Sequence, residues 1–528
     1  MMNETHSAPN PAPAPANISE LDSRPLLRRT WLALIVVIAA HLRFRFLAAK
    51  SFWLDEAVSA ELARLRWSQF SRVLWHREAN MALYYVLLHY WMKFGSSEAF
   101  VRSLSVVFAV ATLPVIYALG RRLFGTAVGL IAAWLLAINA FHVSYSQEAR
   151  SYALVVFLVT LSTLLLLRNL QEPAAARWMS YAIVSALAIY AHFFAALVIV
   201  AQGASLVSLR GRDFAWRDYA RSVRWIVYIT LPLAIVAARI GGTPVDWIPR
   251  TSPAIVLNFF NGLAGYGSKW LLALDALAFA IAGFAAWRAR RSVDRAPENA
   301  GWPFALIFSW LFVPVVLTIA ASFVRPFFVD RYLIVCLPAM MLGVAAGIVR
   351  VRPKALAWAF AAVISVLTFV PTRAYLHHGS QMYAEDWRSA TAYILDRAQP
   401  GDAIFFTPLG RLPYEYYRSQ RNPIPAGPTV LDAPGGAQLV YQDFMVAPLG
   451  EVLSDARPAP DRVWIVDYWN RLPNGEFDRT TLELNAVYGK GRHLADEKDF
   501  PKITVELFAA GADAGGAPGA SGAAGAAK

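Results

Sequence analysis

The stretch EAFVRSLSVVFAVATLPVIYALGRRLFGTAVGLIAAWLLAINA, residues 98–140, contains two long apolar runs separated by the basic pair Arg121 and Arg122. Each run has close to the ~17–25 residues that a helix needs to cross the hydrocarbon core of a bilayer. The same pattern recurs on both sides of this stretch. The apolar runs lie at about 31–49, 98–119, 124–140, 151–167, 178–192, 194–209, 225–240, 270–287, 302–322, 332–349 and 355–371. This repetition predicts an all-α polytopic membrane bundle of about 11 transmembrane helices.

The composition agrees with a membrane location. Of the 528 residues, 57% are hydrophobic and 16% are charged, whereas soluble proteins carry about 25% charged residues. The net charge of +13 does not indicate a nucleic-acid-binding face, because the arginines cluster in short segments between apolar runs. The positive-inside rule then places the N-terminus in the cytoplasm and the C-terminus, after eleven spans, outside it.

Two stretches weaken this orientation. Arg43 and Arg45 lie near the predicted outer end of the first span, and the predicted outer segment 50–97 also holds several basic residues. Long outer segments follow the rule poorly, so the predicted orientation stands. Within 50–97, SFWLDEAVSAELARL has an apolar helical stripe, and MALYYVLLHYWMKF is too short to span. Both are predicted to be helices on the outer surface.

Beyond Pro371 the composition becomes mixed. DWRSATAYILDRA predicts an amphipathic helix, and DAIFFT, VWIVDY and ITVELF predict strands of an α/β domain. Both termini are low in the apolar content that folding requires. The predicted parts are a disordered tail at 1–23, a transmembrane domain at 24–371 with surface helices at 50–97, a periplasmic α/β domain at 372–508 and a disordered tail at 509–528.

Asp55 and Glu56 are adjacent carboxylates in an apolar and aromatic stretch at the predicted outer mouth of the first span. A carboxylate near the hydrocarbon edge is costly, so it usually has a partner or a function. One interpretation is a catalytic or ligand-binding role. The other is an interfacial helix start, in which acidic side chains in the first turn interact favourably with the helix dipole.

A second cluster lies at the predicted outer end of another span. In SYSQEARSYAL, which begins at residue 144, Gln147, Glu148 and Arg150 stand close to Tyr152. These side chains offer hydrogen-bond donors and acceptors suited to a sugar or a phosphate. The alternative is a loop with an ordinary Glu/Arg ion pair.

A third cluster lies in FVRPFFVDRYLIVCLPA, residues 323–339, where Arg325, Asp330 and Arg331 precede a span. A guanidinium at this position either holds a lipid phosphate or marks the headgroup region. His192, in the predicted turn between two spans, is interpreted either as an interfacial histidine or as a site residue.

Several motifs occur in an order that resembles a known enzyme family. They are WLDEA at 53–57, EANMALYYVLLHYW at 78–91, RRLFG at 121–125, YSQEARSYAL at 145–154 and DRYLIVCLPA at 330–339. Over about residues 30–350 the chain resembles glycosyltransferase family 39, which uses polyprenyl-phosphate sugars. That family includes protein O-mannosyltransferases, the aminoarabinose transferase acting on lipid A and rhizobial galacturonosyltransferases. EDWRSATAYILDRAQPGDAIFF at 385–406 resembles the outer domain of bacterial members, whereas Ala82 stands where the family usually has Pro.

The resemblance implies a GT-C fold in the bacterial cytoplasmic (inner) membrane, with its active site on the periplasmic side. It also implies that Asp55 acts as general base on an acceptor hydroxyl and that Glu56 orients the acceptor or assists. No nucleotide is required. A divalent cation near Asp55 and Glu56 remains open, because some GT-C enzymes use one.

The implied donor is a sugar on a polyprenyl phosphate, and the acceptor is an envelope lipid, a glycan or a protein. Arginine side chains would offset the phosphate charge as the glycosidic bond breaks. The residues matched to donor binding are Gln147, Glu148, Arg150, Tyr152 and Arg331. The sugar and the acceptor stay undefined, because specificity depends on pocket contacts that one sequence does not define.

Other classes of protein find less support in the sequence. GLAGYGSK at 262–269 departs from the phosphate-loop pattern, and neither HExxH nor paired CxxC occurs, so no dedicated zinc site is predicted. The main alternative is a transporter or a flippase for lipid-linked sugars. Such proteins place intramembrane charges near the midplane on broken helices, whereas the notable charges here lie at predicted span ends. A non-catalytic sugar-binding subunit is a third hypothesis.

Overall fold

The structure, a computed structural model, forms two compact units. Unit 1 comprises Met1–Arg45, His76–Tyr84 and Ser103–Leu376, and unit 2 comprises Phe46–Trp75, Tyr85–Arg102 and His377–Lys528. The described residues are 24–76, 79–172, 175–209, 216–240, 248–291, 301–382, 385–406, 410–431, 460–468, 482 and 491–511. The predicted tail at 1–23 and nearly all of the one at 509–528 lie outside these residues.

Long apolar helices build unit 1, and two of them, α5 and α16, extend into unit 2. The helices are α1 (Pro25–Phe44), α5 (Glu98–Phe124), α6 (Thr126–Ile138), α7 (Ala140–Ser146), α8 (Tyr152–Gln171), α9 (Ala175–Ala191), α10 (Ala195–Leu206), α11 (Trp216–Ile240), α12 (Pro253–Leu263), α13 (Lys269–Arg291), α14 (Trp302–Ser322), α15 (Leu337–Ile348) and α16 (Lys354–Met382). The remaining helices belong mainly to unit 2 and are given below. Short 3-10 turns cover Val207–Leu209 and Asp330–Cys336.

Each of the eleven apolar runs predicted from the sequence falls on helical structure. Within the described part of the chain, 8 helices are long and apolar enough to cross a membrane, or 9 if one bent pair counts as a span. Ala195–Leu209 and Pro253–Leu263 are shorter apolar helices. The chain is therefore a multi-span membrane protein, and its mainly helical fold class is confirmed.

Glycines allow close helix packing in unit 1. A Cβ atom on Gly347 of α15 would lie 1.8 Å from the carbonyl oxygen of Ala278 in α13, and one on Gly129 of α6 would lie 2.5 Å from that of Tyr117 in α5. Because lipid gives helices little hydrophobic reason to associate, such small residues let van der Waals contact hold them together.

The predicted straight span at 124–140 is instead bent. Helices α6 and α7 meet at Asn139 with an angle of 60°. The Asn139 side chain caps α7 by accepting from the backbone N–H of His142 at 3.0 Å. The bend leaves the last carbonyls of α6 without helical partners, and in a bilayer these groups must be satisfied inside the protein.

Side chains from two other helices meet this requirement. Arg43 of α1 donates to the carbonyl oxygens of Leu136 at 3.1 Å and Ala137 at 2.8 Å. The Thr372 hydroxyl of α16 donates to that of Ile138 at 2.5 Å. The bend is thus stabilised by side chains of α1 and α16. Helix α7 leads directly into the predicted cluster at 144–154.

Unit 2 joins the predicted surface helices to the C-terminal α/β fold. Its helices are α2 (Leu54–Arg64), α3 (Trp67–His76), α4 (Ala82–Trp91, largely in this unit), α17 (Trp387–Leu395) and α18 (Arg411–Ser419). Its strands are β1 (Ala403–Phe406), β2 (Thr429–Val430), β3 (Arg462–Tyr468), β4 (Arg492–Phe500) and β5 (Ile503–Ala510). The three strands predicted from DAIFFT, VWIVDY and ITVELF are β1, β3 and β5.

The five strands form one sheet in the order β2-β1-β3-β5-β4. Strand β1 is parallel to β2 and β3, whereas β5 is antiparallel to β3 and β4. Its core contains Phe405, Val463, Ile465 and Phe508. Helix α17 begins where Asp386 accepts from the backbone N–H of Ser389 at 3.1 Å, as an N-cap should.

Candidate functional site

Asp55 and Glu56 occupy the first turn of α2 in unit 2, but their environments differ. Glu56 is fully buried, whereas Asp55 is partly exposed. Both Glu56 oxygens accept hydrogen bonds from Arg102, Oε1 from Nε at 2.7 Å and Oε2 from Nη2 at 2.6 Å. This is a bidentate pair between two side chains with 0% exposure. Such a geometry gives Glu56 a strong structural partner and leaves Asp55 as the more accessible carboxylate.

Arg102 also closes the chain that precedes α2. Its Nη1 donates to the carbonyl oxygens of Leu47 at 2.8 Å and Lys50 at 2.9 Å, and its Nη2 donates to that of Ser51 at 3.1 Å. The guanidinium carbon lies 4.8 Å from the centroid of the Phe52 ring. One buried arginine therefore fixes both the loop before Asp55 and the carboxylate after it.

The N-terminus of α2 is held by residues from the C-terminal part of unit 2. Glu385 accepts the backbone N–H of Leu54 at 2.8 Å, and the hydroxyl of Tyr417 lies 2.6 Å from the backbone N of Phe52. Glu385 accepts two further hydrogen bonds, from the Tyr468 hydroxyl at 2.7 Å and the Trp387 ring N–H at 3.0 Å. Burial raises the pKa of the Glu385 carboxyl, and these donors oppose the increase.

The side chains around Asp55 do not match a dedicated metal site. Among the described residues, no group of three or more His, Cys, Asp or Glu side chains is placed to hold a metal ion. Both oxygens of Glu56 already bind Arg102. Glu56 is therefore committed to the ion pair with Arg102.

Gln147 and Glu148 follow α7 in unit 1. The Gln147 amide donates to the carbonyl oxygens of Arg43 and Arg45, each at 2.9 Å, and so caps the last turn of α1. Arg43 itself donates to Nδ1 of His142 at 2.7 Å. Glu148 is partly exposed and, like Asp330, acts electrostatically on Tyr145. The structure thus gives Gln147 a structural contact and brings Glu148 close to the third cluster.

Arg150 and Arg331 both act electrostatically on His192, although they are far apart in the sequence. The His192 ring lies 6.2 Å from that of Tyr152 and 5.0 Å from that of Tyr332, measured between centroids. His192 is buried in the turn between α9 and α10. Burial, followed by the charges of Arg150 and Arg331, lowers the pKa of His192 to about 3. The neutral imidazole thus lies in the positive field of two guanidinium groups.

Sequence reasoning missed Arg102, Arg43 and Glu385 and left His192 undecided. Arg102 sits in the fifth position of the run at 98–119, where it resembles a headgroup marker. Its detectable signal is the rule that an ionisable residue inside a span needs a partner. Glu385 had no comparable signal, because its role depends on Leu54, which lies 331 residues away in the sequence.

The fold of this chain is similar to that of solved membrane glycosyltransferases. A crystal structure of ArnT from Cupriavidus metallidurans bound to undecaprenyl phosphate superposes with a TM-score of 0.61 and 15% identity, covering 91% of this chain and 97% of that one. Its apo structure matches equally, with 98% of that chain covered. The archaeal oligosaccharyltransferase AglB from Archaeoglobus fulgidus, in complex with an inhibitory peptide and a dolichol-phosphate, gives a TM-score of 0.52 at 11% identity and covers 88% of this chain and 71% of that one. The chain has the GT-C fold.

The sequence comparison points the same way. The profile of a family described as dolichyl-phosphate-mannose-protein mannosyltransferase matches residues 81–240. No curated protein shows significant sequence similarity to the chain. The profile match bears out the family resemblance predicted from the motifs over residues 81–240, and the fold agrees with it. The matched segment includes the cluster at 144–154 and His192.

Proposed function

We propose that this protein transfers a sugar from a polyprenyl phosphate to an acceptor on the periplasmic side of a bacterial cytoplasmic membrane. The observation that carries the proposal is that Arg150 and Arg331 both act electrostatically on His192, whose buried ring packs near Tyr152 and Tyr332. Arginine is well suited to bind a phosphate, because its planar fork meets two oxygens at once. ArnT, which has the same fold, was crystallised with undecaprenyl phosphate.

The reaction requires a base, an electrophilic carbon and a stabilised leaving group. The acceptor hydroxyl oxygen forms a bond to the anomeric carbon of the sugar, and its proton passes to the Asp55 carboxylate. The bond between that carbon and the phosphate oxygen breaks, and its electron pair stays on the departing polyprenyl phosphate. Arg150 and Arg331 offset the negative charge that develops there.

Asp55 is better placed for the base than its neighbour. It is partly exposed, whereas Glu56 is buried and bound to Arg102 at both oxygens. A base must reach the proton that it removes, so accessibility matters before pKa. We therefore assign proton removal to Asp55 and the support of its helix to Glu56.

Mass spectrometry of envelope lipids, glycans and proteins from cells with and without the gene product tests the proposal. We expect one acceptor to lose the mass of a single sugar when the gene product is absent or carries Asp55→Asn. The substitution keeps the shape of the side chain and removes its basicity, which is typically worth about 10²–10⁴-fold in rate. An unchanged set of acceptors, with lipid-linked sugar trapped on the cytoplasmic side, would favour a flippase instead.

The proposed orientation has its own test. A reporter fused after residue 400 should be active only outside the cytoplasm, because an inner N-terminus and the eleven spans predicted from the sequence leave residues 372–528 outside. A reporter that works only in the cytoplasm contradicts a periplasmic acceptor.

A further inference from the structure

His192 has a defined proton arrangement. The backbone N–H of Phe194 donates to its Nδ1 at 3.3 Å. A backbone amide can only donate, so Nδ1 acts as the acceptor, and the proton of the neutral ring lies on Nε2. Burial and the two neighbouring arginines also favour this uncharged form.

The Nε2 atom is the unsatisfied side of this ring. The His192 side chain is 1% exposed, and its buried Nε2 has no hydrogen-bond partner among the described residues. Tyr152 and Tyr332 pack near the ring, which limits its rotation away from this arrangement. A buried N–H without an acceptor costs free energy, so such a group in a polar cluster points to a ligand that supplies one.

The charges near His192 indicate the sign of the charge on its ligand. Arg150 and Arg331 both act electrostatically on His192, so an acceptor that reaches Nε2 enters a positive field. An anionic oxygen is stabilised there, whereas a second cation is not. We propose that His192 donates a hydrogen bond from Nε2 to a phosphate oxygen of the polyprenyl-phosphate donor, between the groups supplied by Arg150 and Arg331. This inference rests on the proposed function and adds a third ligand to its phosphate.

The neutral state of His192 gives the contact a distinct property. A neutral N–H adds a directed bond without adding a third positive charge. It strengthens as the phosphate gains charge during bond breaking, yet it holds the released phosphate less tightly than another cation would.

Three substitutions separate donation from packing. His192→Phe keeps a ring of similar size without a donor, and His192→Asn keeps an acceptor near Nδ1 without reaching the Nε2 position. His192→Gln places an amide N–H close to the Nε2 position. Phe194→Leu, which alters packing on the same ring, is the matched control.

The measurement is the affinity of the purified full chain for undecaprenyl phosphate, with the uncharged polyprenol as reference. We expect His192→Phe and His192→Asn to weaken phosphate binding by roughly 10- to 100-fold, the range of a hydrogen bond to a charged group. Polyprenol binding should stay unchanged in both. His192→Gln and Phe194→Leu should remain within about threefold of the original affinity for the phosphate, because the donor position is kept.

The outcomes distinguish this inference from the proposed function. If the unmodified chain is folded and does not bind undecaprenyl phosphate, the proposed function fails. If it binds and any folded variant without the donor binds equally well, the role of His192 is refuted while the function stands. A folded His192→Gln that loses as much affinity as His192→Phe also refutes hydrogen-bond donation. Melting in detergent identifies the folded variants.

Discussion

Removing Arg102 is expected to destabilise unit 2 more than any single change at the neighbouring carboxylates. In Arg102→Met, the buried Glu56 carboxylate loses both of its donors, and three backbone carbonyls lose theirs. Removing one partner of a buried ion pair typically costs about 3–5 kcal/mol, because the remaining charge stays buried without compensation. The unpaired carbonyls add to this loss.

Glu56→Gln should cost less than Arg102→Met. The guanidinium keeps its three carbonyl acceptors, and the amide oxygen of Gln can still accept one hydrogen bond. Asp55→Asn should leave melting almost unchanged, because Asp55 is partly exposed. The expected order of destabilisation is therefore Arg102→Met, then Glu56→Gln, then Asp55→Asn.

Thermal melting of the purified chain in detergent gives the stability order, and initial transfer rates per folded molecule give the catalytic order. We expect the two orders to be opposite, with Asp55→Asn losing rate and Arg102→Met losing stability. The double variant of Glu56 and Arg102 should show a coupling of about 0.5–3 kcal/mol, as expected for residues in direct contact. An Arg102→Met protein that melts normally but transfers no sugar would refute a structural role for the pair.

Four further predictions concern unit 1 and the cation. Arg150→Ala should lower the transfer rate by about 10²–10³-fold and Arg150→Lys by less, without early melting; early melting with a normal rate per folded molecule would make Arg150 structural. Arg43→Met should lower the melting temperature, at about 1–3 kcal/mol for each carbonyl left unpaired at the bend, whereas unchanged melting would show that water replaces the guanidinium. The pKa of His192 is lowered from 6.5 to about 3, so the unfolded chain binds more protons than the folded chain between these pH values. The melting temperature should therefore fall as the pH is lowered from 6.5 towards 3. The His192→Gln variant, which has no imidazole to protonate, should not show this fall. Chelation with EDTA should leave the transfer rate unchanged, and a loss restored by Mn²⁺ would reveal a cation site.

The spans were predictable because crossing a bilayer depends mainly on the length and apolar content of a segment. The bend at Asn139 was not, because its cause lies in other parts of the chain. Arg43 and Thr372 supply the donors that make a broken helix tolerable, and both are remote from 139 in sequence. A local pattern cannot report partners that only the tertiary fold brings together.

In the sheet, too, some strands could be predicted from the sequence and one could not. The buried strands β1 and β3 have continuous apolar runs, which sequence patterns detect. Strand β4, RHLADEKDF, is exposed along most of its length and carries several charges, so no apolar alternation marks it. It forms at the edge of the sheet because β5 offers backbone partners along its whole length. Charged residues on such an edge also discourage pairing with other chains.

In the sequence, four arginines look alike: each stands at a predicted outer end of an apolar run. The structure separates them by burial and by the interactions that their guanidinium groups make. Arg43 and Arg102 are completely buried and donate to backbone carbonyls, and Arg102 also pairs with Glu56. Arg150 and Arg331 instead act on the buried ring of His192.

This separation also bears on the orientation of the chain. Basic residues oppose translocation when their charge faces the membrane surface, and the exceptions to the positive-inside pattern included Arg43. Because Arg43 is buried and committed to the bend between α6 and α7, its position reflects a structural requirement of the fold. The same reasoning applies to Arg102, which is committed to the loop before Asp55. Counting Arg43 as a surface charge therefore understates the bias toward a cytoplasmic N-terminus, the orientation that the proposed function requires.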